Sequence, residues 1–149
     1  MNEIFGSREI LFIIDLGLAL FCGFIIGVER ESKGKPAGIS TQTLVISGAM
    51  IFTFLSQTVS SGDPTRIAAQ VVSGIGFLGA GIILKSEDKA SVRNLTTAAS
   101  IWYSASIGMA IGFNMHVIGV LAALYAVTIN RIPNYNKIIK SKTSRKNTQ

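Results

Sequence analysis

The side chains of this chain that could do chemistry are few. Asp15, Glu29, Glu31, Arg66 and Gln70 lie within or beside long apolar runs, and there is one histidine, His116. A glycine string, Gly74-Ile75-Gly76-Phe77-Leu78-Gly79, spells G-x-G-x-x-G. Dinucleotide binding by that string needs a strand before it, a helix opening after it and an acid about 20 residues on. Here it occupies the middle of an apolar run, and the next acids, Glu87 and Asp88, fall in the following polar loop. The dinucleotide reading fails. The chain has no G-x-x-x-x-G-K-[ST], no Cys/His ligand set and no nucleophile elbow, and Ser73 and Ser104 find no His or Lys partner in a span, so no enzymatic reaction is expected. Magnesium accepts one or two carboxylates plus waters, which makes Asp15, Glu29 and Glu31 the metal candidates; no other cofactor is implied.

The elements that must position these residues are set by the solvent. Of 149 residues, 48% are hydrophobic and 15% charged, against about 25% charged in soluble domains. Mean hydropathy is +0.47. Apolar runs at 10–28, 43–59, 67–84 and 95–113, and a shorter one at 115–129 after a break at Asn114, predict an all-α bundle of about five transmembrane helices. This transmembrane domain covers 1–132, and a basic tail covers 133–149. Of the 14 Lys and Arg, all but Arg8 and Arg66 fall on one side of a five-span arrangement. Cations concentrate on the cytoplasmic side, which places the N-terminus outside and the tail inside. The net charge of +6 therefore reads as loop asymmetry, with the tail touching anionic lipid, and not as nucleic-acid binding. Cys22, the one cysteine, cannot form an internal disulfide and reads as a small buried residue.

On a helix, Arg66, Ala69, Gln70, Ser73, Gly74, Gly76, Ala80 and Gly81 share one side, and Ile67, Val71, Val72, Ile75, Leu78, Ile82 and Ile83 the other, with Phe77 and Gly79 as exceptions. Small faces let helices approach closely in lipid, where dispersion replaces the hydrophobic drive. The first span repeats this with Gly23-x-x-x-Gly27, and the fourth with Thr96, Ser100, Ser104, Gly108 and Gly112. Helices one, three and four are thus expected to form a tight bundle, with Gly23, Gly27, Gly74, Gly76, Gly79, Gly81, Gly108 and Gly112 at its seams.

Asp15 is the costliest residue, an acid in a span. It reads either as a cation or proton site or as an interfacial acid paired with Arg66. Glu29 and Glu31 fall just past the first helix, where the negative end of the dipole disfavours them. Arg30, or Lys85, Arg93 and the start of the fourth helix, would offset that, as would a divalent cation. Asp63-Pro64 reads as an N-cap followed by proline at the first helical position, and Asn94-Leu95-Thr96-Thr97 as another capped start. Arg66 and Gln70 should point into the bundle. Trp102 and Tyr103 read as packing residues, and His116 as interfacial.

The blocks "GFIIGVERE" (23–31), "KPAG" (35–38), "TQTLVISGAMIF" (41–52), "DPTRIAAQVVSGIGFLGAGIIL" (63–84) and "LTTAASIW" (95–102) resemble the MgtC/SapB family of bacterial inner-membrane proteins. The resemblance implies a multi-pass protein associated with growth when magnesium is scarce, acting as a non-enzymatic regulator of membrane partners or, alternatively, as a magnesium or other cation transporter. It also implies a lipid-embedded homo-oligomer or a complex with another membrane protein, and a polar signature at Glu29, Arg30, Glu31, Asp63, Arg66, Gln70, Thr96 and Thr97. The chain departs from the family pattern at Ser40, where Arg is frequent, at Asn94, where glycine is usual, and at Asp15, where relatives carry a basic residue. Larger members append a soluble C-terminal domain, and this chain resembles a short form with only a basic tail.

Overall fold

A computed structural model of the chain describes residues 6–59, 63, 65–84 and 94–132. The tail expected at 133–149, Pro64, and Lys85, Lys89 and Arg93 lie outside the described residues. The architecture is all helical: α1 (Ser7–Ser32), α2 (Ile39–Val59), α3 (Arg66–Leu84), α4 (Leu95–Gly112) and α5 (His116–Arg131). Among the described residues, α1, α2 and α3 are long and apolar enough to cross a membrane, and α5 is a shorter apolar helix.

Two turns show how sequence sets the boundaries. The first helix runs to Ser32, so Glu29, Arg30 and Glu31 belong to its last turns and do not follow it. It stops where Gly34 takes φ +59, with the Gly34 and Lys35 N–H groups closing on the Glu31 and Arg30 carbonyls. The next helix starts at Ile39, four residues before the apolar run suggested. Between α4 and α5, Asn114 adopts φ +60 and the Phe113, Asn114 and Met115 N–H groups bond back to Met109, Ile111 and Ala110. Asparagine tolerates that left-handed conformation better than most residues, so the chain reverses within a few residues.

The middle of the bundle is α2. It packs along α1 on one side and α4 on the other, and α5 closes against α1 and α4. Ile26, Ile46, Met50, Ile107 and Ile111, all wholly buried, fill the junction. A Cβ added at Gly23, Gly27, Gly108 or Gly112 would come under 3.0 Å from atoms of α2 or the turn before it, so these helices touch backbone to backbone.

The third helix departs from expectation. It packs mainly on α4 and partly on α2, with no contact to α1 or α5 among the described residues. Its inward positions are Ala68, Val71, Ile75, Gly79 and Ile82; Val71, Ile75 and Ile82 belong to the apolar side, whose Ile67, Val72 and Leu78 are exposed. Arg66, Ala69, Gln70, Ser73, Gly74, Gly76, Ala80 and Gly81 are all exposed, with Gln70 and Gly74 lining a groove against α2. A Cβ on Gly74, Gly76 or Gly81 would meet nothing within 4 Å, and one on Gly79 would only touch Ala98 at 3.7 Å. The tight trio is therefore α1, α2 and α4, not helices one, three and four. The reason is volume: Val71, Ile75 and Ile82 supply dispersion contacts against α2 and α4 that glycines at those positions would forgo.

Candidate functional site

The polar residues gather where α1 turns into α2. Arg30, almost fully buried, donates from Nε and Nη2 to the Pro36 carbonyl (3.0 and 2.8 Å) and from Nη2 to Thr97 Oγ1 (2.7 Å). One guanidinium thus joins the end of α1, the α1–α2 turn and the first turn of α4. Its planar set of donors suits this three-way role better than a lysine would. Thr97 is itself buried, whereas Thr96 points away into a groove between α4 and α5 lined by Ser100, Tyr103, Tyr125 and Asn130.

The two glutamates find protein partners. Glu31 Oε1 accepts from the Ile39 backbone N–H (2.9 Å), at the first residue of α2. A carboxylate there satisfies an otherwise orphaned donor and meets the positive end of the α2 dipole. Gly38 makes the contact possible, because a Cβ at that position would collide with the Glu31 carboxylate. Glu29, also buried, pairs with Lys33 Nζ at 2.6 Å, and Lys33 also donates to the Asn130 carbonyl at the end of α5. The dipole penalty at the end of α1 is thus offset by Lys33 and by the start of α2.

One residue of this site escaped the reading from sequence. Gln42 is wholly buried; its Nε2 donates to the Ala37 carbonyl and to Ser100 Oγ (both 3.2 Å), and its Oε1 accepts from Ser104 Oγ. The amide bridges hydroxyls one turn apart on α4. Gln42 falls one residue before the apolar run at 43–59, so the signal available was the Ser-x-x-x-Ser pair on α4, hydroxyls that need polar partners within a span.

Asp63, Arg66 and Gln70 do not join this cluster. The contact of Gly79 with Ala98 puts the far end of α3 beside the start of α4. Arg66 is 13 residues earlier, about 20 Å away along the axis. Arg66 is exposed, and Gln70, also exposed, lines a groove between α2 and α3 with Val45, Ala49 and Ala105. Asp63 Oδ1 accepts from Thr65 Oγ1 (2.6 Å) and Thr65 N (2.9 Å), which holds its carboxyl below its ordinary range. At α4 no side-chain cap forms; Asn94 instead takes φ +62, a conformation that suits the glycine expected there.

Asp15 does not pair with Arg66. It is wholly buried, and its Oδ1 lies 2.7 Å from His116 Nε2, so the histidine read as interfacial ties α5 to α1. Trp102 faces outward, half exposed, while Tyr103 donates to the Ala122 carbonyl (3.3 Å). Among the described residues no group of three or more His, Cys, Asp or Glu side chains could hold a metal ion.

Comparison with known proteins matches residues 16–136 to the model of the MgtC family. "Protein MgtC" of Salmonella typhimurium is 42% identical over 119 residues, covering 80% of this chain and 51% of the relative. "Protein MgtC" of Brucella abortus is 44% identical over 115 residues, covering 76% and 48%. The chain thus spans about half the length of the curated relatives it matches. No solved structure matches it.

Proposed function

The chain belongs to the MgtC family, and from that premise we propose that this helical membrane protein is a non-enzymatic regulator of other membrane proteins in adaptation to low magnesium. The observation that carries the reading is the outward turn of the small, polar side of α3. A helix that offers Arg66, Ser73, Gly76 and Gly81 to the bilayer presents a surface on which another protein's helix can pack closely and find hydrogen bonds. The Arg30 cluster supports the same reading: Glu29 and Glu31 are engaged by Lys33 and the Ile39 N–H, as befits groups that brace a scaffold. In this proposal the protein lies in the bacterial inner membrane as a multi-pass protein, with the N-terminus outside and the Arg30 cluster near the cytoplasm.

A second reading, movement of magnesium or another cation, is favoured by Asp15, an acid wholly buried in a span. Magnesium entry into sealed liposomes decides between the two, measured for the protein, an Arg66→Ala variant and empty vesicles. The regulator predicts no entry above empty vesicles from well-folded protein. Saturable entry altered by the variant would establish the carrier instead.

A further inference from the structure

We propose that Asp15 and His116 form a proton-binding site inside the bundle, reached through the histidine, whose occupancy sets how firmly α5 is held to α1. Asp15 lies eight residues into α1, about 12 Å along its axis. Its side chain has no exposed surface, whereas that of His116 is 32% exposed. Two bare acceptors would repel at the 2.7 Å separating Nε2 from Oδ1, so one proton lies between them. The other carboxylate oxygen, Oδ2, is buried and meets no hydrogen-bond donor among the described residues.

With a neutral ring the pair carries one net negative charge in a medium that solvates charge poorly. A second proton, taken up from water at Nδ1, makes the pair an imidazolium–carboxylate of zero net charge, and its return to water restores the first state. No bond other than this N–H changes. The surroundings leave the pair to itself. Arg8 and Glu9, on the first turn of α1, line a shallow recess with Phe12, Ile13, Phe54 and Thr58. The α2 and α4 helices contain no Asp, Glu, Lys, Arg or His, Tyr103 of α4 bonds to Ala122, and the remaining titratable groups of α5, Tyr125 and Arg131, lie toward its other end. On α1 itself, Cys22 lies about two turns farther on and Glu29, Arg30 and Glu31 about four, and α3 does not pack against α1 or α5 among the described residues.

His116 is the chain's only histidine, so one set of ring resonances reports the site. In lipid nanodiscs, the full chain with isotope-labelled histidine is followed from about pH 5 to 8, and its ring should gain and lose one proton reversibly. The midpoint of that step should differ between the natural chain and Asp15→Asn. A ring that does not titrate in the folded protein, or equal midpoints in the two chains, would overturn the proposal. His116→Gln keeps an N–H for Oδ1 but cannot titrate, and it decides the matter if Asp15→Asn does not fold. The thermal midpoint of the natural chain should vary with pH across that range while that of His116→Gln stays level. Equal responses would refute the site.

Discussion

Gly108 and Gly76 arise from the same sequence habit, small residues repeated along an apolar helix, yet they do different things. At Gly108 a Cβ would press on α2, coming within 2.9 Å of the Ile46 carbonyl carbon and the Ala49 Cβ. At Gly76 it would meet nothing within 4 Å. The first belongs to the α1–α2–α4 core, where glycines are the condition of contact. The second belongs to a helix held by Ile75 and its neighbours, with glycines turned outward. A small-residue pattern states that close approach is possible, not that this chain uses it.

The sharpest way to break the contrast is to make one substitution in both regions. Gly108→Ala or Gly27→Ala must push α2 away from its partner helix, and overpacking of this kind should destabilise the purified protein by about 3 kcal/mol. Thermal unfolding in detergent reads this, and an unchanged midpoint would dissolve the distinction between the two regions. Next in size, Gln42→Leu leaves Ser100, Ser104 and the Ala37 carbonyl without their shared partner, at about 2 kcal/mol. Rescue by a second change, Ser104→Ala, would show that the loss comes from unsatisfied hydroxyls and not from shape. The smallest effect has the opposite sign. Gly76→Ala adds helix propensity with no collision and should stabilise by up to about 1 kcal/mol. A loss of stability in the monomer would mean that this side of α3 packs within the chain after all.

Legibility in the sequence followed range. Apolar runs and polar punctuation announced five helices, and boundaries erred only where polar residues continue a helix, as at Glu29–Ser32, or begin one, as at Ile39–Gln42. Glu29, Arg30, Glu31 and Thr97 were named through family resemblance, but their partners were not. The Pro36 carbonyl and the Ile39 N–H are backbone groups, which no residue type advertises. Arg66 was matched with Asp15 because both were charged and expected at the same end of the bundle. The choice of His116 instead depended on α5, not α3, lying beside α1.

By itself the sequence determined the solvent, the helices and the stock of polar groups, because hydropathy, helix length and the rarity of charge in apolar runs are local properties of the chain. The tertiary structure alone decided which helix lies at the centre, which glycines are seams and which histidine meets the buried acid. Those outcomes depend on the rotation of each helix about its axis and on its neighbours. In lipid that rotation is settled by the sum of many weak contacts and a few hydrogen bonds, a comparison among alternative packings that no single segment contains.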